Sequence, residues 1–233
     1  MKILSLDSSA LVASAALCED DKVLAEYTLN NGNTHSETLL PMVESILKAF
    51  GITAADVDLF AVSAGPGSFT GVRIGAATIK GLAFAWGKPC EEVSTLEALA
   101  CNLRMHKGLI CPVMNARRSQ VYTALFRSDG EKLERLMPDS AMAISELDLE
   151  LSKYGECVCL CGDGYDITVK GFEKTELCFV PQRLRMQSAV SVAEVALEQY
   201  KNGISCSDKE LGVNYLRPSQ AERERAERLE NQN

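Results

Sequence analysis

The sequence predicts an α/β protein of two lobes built on one plan. Three observations carry this. An apolar strand, Phe60 to Ala64, runs through the loop Gly65-Pro66-Gly67 into a helix of small residues. The chain opens with three short strands separated by tight polar turns. Finally, Ile3-Leu4-Ser5-Leu6-Asp7 is followed ten residues after Asp7 by Leu17, and Cys111-Pro112-Val113-Met114-Asn115 is followed ten after Asn115 by Leu125. Strand, polar turn and strand thus recur with one internal spacing, at a period too long for a solenoid.

The first strand is Lys2 to Asp7, the second Val12 to Leu17 and the third Lys22 to Leu29, with turns at Ser8-Ser9-Ala10 and Glu19-Asp20-Asp21. Such short connections imply an antiparallel meander. Thr34-His35-Ser36-Glu37 reads as a capping box that starts a helix ending near Phe50, where Gly51 stops it. Pro41 falls past the first turn and predicts a kink or a later start. The apolar positions of this helix, Leu39, Leu40, Met42, Val43, Ile46, Leu47 and Phe50, exceed what one face needs.

After the glycine loop, where Ser68 or Thr70 can cap, a helix spans Val72 to Trp86. Gly71, Gly75, Ala77, Gly81 and Ala85 lie on two neighbouring tracks of it. Each Gly weakens a helix by about 1 kcal/mol relative to Ala, so close packing against another element is expected. Burial inside the monomer and contact with a second subunit both satisfy that. A short strand ends at Glu92 to Ser94 and a helix follows at Leu96 to Leu103. The second lobe has strands at Leu109 to Met114, Val121 to Arg127 and Lys132 to Met137, a helix at Ser145 to Tyr154, a strand at Cys157 to Cys161 and a helix at Val190 to Tyr200. Lobe boundaries follow as 1–104 and 105–218, with a charged, flexible tail at 219–233.

Composition limits function. The chain has 233 residues, 46% hydrophobic and 24% charged, with a net charge of -8. An acidic protein disfavours unaided nucleic-acid binding. No apolar run nears the ~20 residues that span a bilayer. Nine cysteines without a secretory leader read as reduced thiols in a cytoplasmic protein. Cys157, Cys159 and Cys161 alternate along one strand face, and no second pair gives them zinc spacing. No metal site is therefore expected. Of the two histidines, His35 reads as a cap or surface residue and His106 as solvated.

Asp7, Ser8 and Ser9 end the first strand and, with Gly65, Gly67 and Ser68, are the candidates for holding a phosphate; a turn aspartate bonding its own backbone is the alternative. Asn115 takes the matching place in the second lobe, where its amide is a poorer magnesium ligand than a carboxylate. Arg117 and Arg118, with Arg183 and Arg185, are candidates for an anionic cleft. The loop lacks both the dinucleotide fingerprint and the Walker lysine, and serine-hydrolase and zinc-hydrolase patterns are missing.

Leu6-Asp7-Ser8-Ser9, Ser14-x-Ala16-Leu17, His35-Ser36-Glu37-x-Leu39-Leu40-Pro41, the run Gly65 to Gly75, Ala116-Arg117-Arg118 and Tyr215-Leu216-Arg217 together resemble the TsaB (YeaZ) family. The resemblance implies the actin-like ATPase (ASKHA, ribonuclease H-like) fold, with two duplicated lobes of mixed sheets flanked by helices. It implies a non-catalytic, cytoplasmic scaffold that activates the paralogue TsaD in threonylcarbamoyladenosine modification of tRNA. It further implies TsaE as a partner, a homodimer when TsaD is absent, and tRNA met only through the complex, with no membrane involved. The implied interface is Leu39, Met42, Val43, Ile46, Leu47, Phe69, Arg73, Ile74, Ala77, Thr78 and Gly81. The paralogue's two metal-binding histidines align with Thr95 and Leu99, which cannot replace imidazole. No cofactor is required, and ATP or ADP is left as a candidate ligand at a degenerate or interface site. The rival readings are an actin-like ATPase or kinase using Asp7 and the Gly65–Gly67 loop, and a glycoprotein peptidase.

Overall fold

The computed structural model describes residues 1–217. Strands β1 (Lys2–Asp7), β2 (Ala13–Glu19) and β3 (Lys22–Leu29) form the antiparallel meander, with Leu4 opposite Leu17 and Asp7 opposite Ser14. Helix α1 (His35–Ala49) carries the chain to β4 (Leu59–Gly65), which lies parallel to β1. Helix α2 (Phe69–Trp86) leads to β5 (Cys90–Ser94), parallel to β4. The sheet order is β3-β2-β1-β4-β5.

Beyond α3 (Thr95–Cys101) come β6 (Gly108–Asn115), β7 (Gln120–Ser128), β8 (Leu133–Ala143), α4 (Ile144–Ser152), β9 (Val158–Cys161), α5 (Tyr165–Gly171), β10 (Leu177–Cys178) and α6 (Ala189–Lys201). The second sheet has order β8-β7-β6-β9-β10, with β7 and β8 antiparallel and β9 and β10 parallel. Strand for strand it repeats the first. The equivalence of Asp7 and Asn115 read from the sequence is one of strand ends: each terminates the central strand of its sheet.

Strand alternation divides each sheet's residues between two layers. Leu4, Leu6, Phe60 and Val62 pack with Leu39, Met42, Val43, Ile46, Ile79 and Ala83 under α1 and α2. Ile3, Ala16, Leu59 and Ala61 face α6 instead. In the second sheet, Ile110, Ala124, Phe126 and Cys159 pack on α3, while Leu109, Leu125, Val158 and Leu160 pack on α4. The division at residue 104 therefore follows the chain but not the packing. Helix α6, from the end of the chain, is pinned to the first sheet by Ser5 Oγ–H donating to the Ala189 carbonyl at 2.6 Å and by Ala189 N–H donating to Ser14 Oγ at 2.9 Å. The segment after it stays there, with Cys206 bridging Cys90 and Leu211 in the first lobe's core. The charged tail lies outside the described residues.

Several local expectations differ from the structure. Thr34 is the N-cap of α1, but its side chain makes no capping bond; its hydroxyl pairs with Ser36 Oγ at 3.2 Å. Pro41 sits inside an uninterrupted helix. Strand β8 runs six residues past Met137 because β7 offers it pairing up to Gln120–Ala143. Helix α5 and strand β10 were not legible: both are short, and α5 contains Thr168, Val169 and Gly171, poor helix formers. Cys157 and Cys178 are joined in a disulfide rather than being free thiols, because the β9–β10 pairing brings their Cα atoms to 5.6 Å.

Glu91 on β5 is 1% exposed and shares a strand face with Val93, beneath α6; its Oε1 has no hydrogen-bond partner. Burial, with Glu92 alongside, pushes its carboxyl up to about 7. The folded state therefore binds more protons than the unfolded one between pH 4.5 and about 7, and stability falls as pH rises through that window. Glu91→Gln should remove this slope and stabilise the protein at pH 8 by about 2 kcal/mol. Denaturant melts of both proteins at pH 5 and pH 8 check this; parallel slopes would refute it.

Candidate functional site

The glycine loop packs against the chain's own β1–β2 turn. A Cβ on Gly67 would stand 2.4 Å from the Ser9 carbonyl oxygen, one on Gly71 2.0 Å from the Ser8 carbonyl oxygen, and one on Gly75 2.6 Å from Ser8 Oγ. Ser68 N–H donates to the Ser9 carbonyl at 2.7 Å, and Ser8 Oγ–H donates to the Gly71 carbonyl at 2.9 Å. Ser68 is the N-cap of α2, its hydroxyl accepting from Gly71 N–H at 3.3 Å. Two donors that an anion would use are thus committed. Gly65, at φ +113°, precedes a cis peptide to Pro66 and lies against the Asn214 carbonyl. The glycines serve close self-packing; they do not form an open phosphate cradle.

Asp7 is fully buried. Its Oδ1 accepts Ser9 N–H at 2.9 Å and Ser9 Oγ–H at 2.7 Å, and its Oδ2 accepts Ser63 Oγ–H at 2.5 Å. Burial raises its pKa, with these bonds opposing. The turn-aspartate alternative describes this residue: both oxygens are engaged within the chain.

A cleft of about 1120 Å³ opens between the lobes. Of the six residues proposed to bind a nucleotide, Ser9, Gly67 and Ser68 line it, whereas Asp7, Ser8 and Gly65 are buried behind it. Opposite stand Asn115, Arg117 and Asp163. Asp163 accepts from Asn115 N–H at 3.2 Å, and burial raises its pKa. The sequence reading missed it, although Gly162-Asp163-Gly164 follows β9 as Gly65-Pro66-Gly67 follows β4; the internal repeat was the signal. Both leading glycines have positive φ, +104° and +113°. Arg118 lines a neighbouring pocket with Arg117 and Lys170. Arg183 and Arg185 do not join them: Arg183 is exposed, and Arg185 stacks on Tyr165 at 3.6 Å and donates to the Val180 carbonyl.

Histidine placement also departs from expectation. His35 Nε2–H donates to the Ala10 carbonyl at 2.7 Å at the cleft's edge, leaving Nδ1 buried without a partner. His106 is half-buried beside Cys159 and Cys178. The metal position of the paralogue does not fit this chain. Thr95 and Leu99 are both buried in α3, Leu99 within the apolar layer under the second sheet, and the Thr95 hydroxyl would be a lone weak donor.

The residues assigned to an interface separate into two groups. Leu39, Met42, Val43 and Ile46 are buried in the first lobe's own core and cannot meet a partner; Leu47 and Ile74 pack against that core. Of the apolar set read on α1, only Leu40 and Phe50 are exposed, so the surplus beyond the buried face is those two. Exposed positions of α1 include Leu40, Pro41 and Glu44 instead. On α2, Arg73, Ala77 and Gly81 are exposed at four-residue spacing, with Thr78 half-buried, and nothing stands within 4 Å of a Cβ built on Gly81. Phe84 is 70% and Trp86 52% exposed at the end of the same helix. At its start Phe69 stacks on Tyr215 with ring centroids 4.5 Å apart, and Arg73 lies 3.8 Å over Phe69 while donating to Tyr215 Oη at 2.6 Å. The last described segment thereby clamps α2 to the cleft.

Two sheets of one strand order, each followed at its central parallel strand by a glycine turn facing a common cleft, define a protein of the actin-like ATPase fold. Residues 22–221 match the family model "TsaD: tRNA N6-adenosine threonylcarbamoyltransferase". The chain is 40% identical over 146 residues to the tRNA threonylcarbamoyladenosine biosynthesis protein TsaB of Bacillus subtilis, spanning 63% of this chain and 64% of that one. It is 29% identical to the Escherichia coli TsaB over 225 residues, 93% and 95% of the two chains. It is 30% identical to that of Buchnera aphidicola over 171 residues, 70% and 79%. The solved structure of YeaZ from Pseudomonas aeruginosa superposes with a TM-score of 0.81 at 25% identity, covering 92% of this chain and 99% of that one. The chain belongs to the TsaB (YeaZ) family. Among the described residues no helix is long and apolar enough to cross a membrane.

Proposed function

We propose that this chain is a non-catalytic scaffold that activates TsaD in forming threonylcarbamoyladenosine on tRNA, in the cytoplasm. The observation that carries the reading is the outer stripe of α2, where Arg73, Ala77 and Gly81 leave a shallow track ending in exposed Phe84 and Trp86. Small residues let a second helix approach closely, and exposed aromatics supply anchors. TsaD is the partner, with a second copy of this chain taking the same surface in its absence. TsaE joins the assembly, and the net charge of -8 is consistent with tRNA being met through the complex. A nucleotide, ATP or ADP, is not required for this role. The sealed Asp7, the filled glycine loop and the missing metal ligands all argue against the ATPase and peptidase alternatives.

The test is reconstitution of modified tRNA from purified TsaD and TsaE, with and without this chain. Product formation that is independent of it would sink the proposal. Asp7→Asn separates the scaffold from an ATPase. It places an amide among three donors and should destabilise the fold by about 1–3 kcal/mol, yet at a temperature where the variant stays folded it should stimulate TsaD like the wild type. Loss of stimulation in folded Asp7→Asn protein, together with loss of an ATP turnover present in the wild type, would establish the enzyme reading.

A further inference from the structure

Three elements of the second lobe bring metal-ligating atoms together where sequence spacing gave no hint. His106 in the loop after α3, Cys159 on β9 and Cys178 on β10 each place one ligand atom within 4.8 Å of the other two. Cys157, just before β9, stands outside that mutual distance and reaches the group through its bond to Cys178, so a third sulfur is tethered to it. We propose that, once the Cys157–Cys178 bond is reduced, His106, Cys157, Cys159 and Cys178 bind a zinc ion in a closed site. This revises the expectation of no metal. Zinc ligation puts neighbouring sulfur and nitrogen atoms about 3.5–3.8 Å apart, so the three atoms need close by only ~1 Å, while the Cys157 sulfur, released from Cys178, must swing in as the fourth ligand.

The donor set chooses the ion: three thiolates and one imidazole suit zinc and do not suit calcium or magnesium. Four protein ligands leave no position for substrate, so the ion is structural. It would tie the sheet edge formed by β9 and β10 to the α3–β6 loop. Cys159 is buried within an apolar layer, while His106 and Cys178 are half-buried and give the ion a way in.

Disulfide and zinc exclude one another. A dithiol reductant supplies two electrons and two protons to the Cys157–Cys178 bond and becomes a disulfide itself. Zinc then displaces the protons of three thiols and takes neutral imidazole as its fourth ligand. In the oxidised chain only Cys159 and His106 remain as donors. The site is thus a zinc clasp in reducing conditions and a disulfide clasp in oxidising ones.

The full chain, reduced with a phosphine and exchanged into metal-free buffer, is titrated with cobalt and then with zinc. The expected result is one cobalt per chain, with the visible bands and thiolate charge-transfer absorption of tetrahedral coordination, displaced by zinc. His106→Ala, in a loop, and Cys178→Ser should each weaken binding by more than the ~10–100-fold that loss of an outer-shell contact costs. Cys206→Ser, a half-buried free cysteine outside the cluster, should leave it unchanged. The oxidised chain should not bind. Octahedral or substoichiometric cobalt in the reduced chain, equal binding by the oxidised chain, or wild-type affinity in folded His106→Ala would each overturn the proposal.

Discussion

Gly71→Ala is expected to destabilise the folded protein by at least about 3 kcal/mol. The new Cβ would lie 2.0 Å from the Ser8 carbonyl oxygen, 3.2 Å from its carbon and 3.3 Å from His35 Cδ2. These are mostly backbone atoms, and they cannot swing aside. Ser8 Oγ–H already donates to the Gly71 carbonyl, and Ser68 N–H holds the Ser9 carbonyl one residue further on. Retreat of the turn would also disturb Asp7, whose buried carboxylate depends on Ser9 N–H and Oγ–H. Helix propensity alone predicts the opposite sign, a gain of about 1 kcal/mol for Gly→Ala. The control is Gly81→Ala on the same helix, where nothing meets the added carbon and that gain should appear. Urea denaturation of the two variants decides it. If Gly71→Ala is as stable as the wild type, the loop is not held by close packing on the Ser8–Ser9 turn.

Gly81→Arg should lower affinity for TsaD more than about 100-fold, roughly 2.7 kcal/mol, while leaving the monomer as stable as before or slightly more so. The added side chain points into solvent in the isolated chain and replaces a weak helix former with a good one. In the complex it would stand in the track left by Ala77 and Gly81 and hold the partner helix away from Phe84 and Trp86. Separation of the two effects is the diagnostic, since a misfolded variant would lose both. Isothermal titration against TsaD and a thermal melt of the same sample provide the comparison. Wild-type affinity would move the partner surface off α2. Leu40→Asp, at the outward face of α1, probes whether that surface extends across both helices.

Much of the fold was legible because its signals are local. Alternation marked the strands, Ser68 marked the start of α2, Gly51 marked the end of α1, and the Leu17 and Leu125 spacing marked the repeat. Asp163 was hidden because its role comes from comparing two glycine turns a whole lobe apart. α5 and β10 were hidden because their residues favour neither state strongly. His106 looked solvated because its neighbours, Cys159 and Cys178, are distant along the chain.

By itself the sequence determined the order and kind of the elements other than α5 and β10, the glycine turn, the small-residue track on α2 and the likeness to TsaB. Only the tertiary structure decided that Leu39, Met42, Val43 and Ile46 face the chain's own sheet, that α6 returns to cover the first lobe, that the glycines accommodate Ser8 and Ser9, and that Cys159, Cys178 and His106 meet, with Cys157 bonded to Cys178. The reason is range: periodicity and turn chemistry act over a few residues, whereas which face is covered, and by what, is settled by contacts between segments that share no local signal.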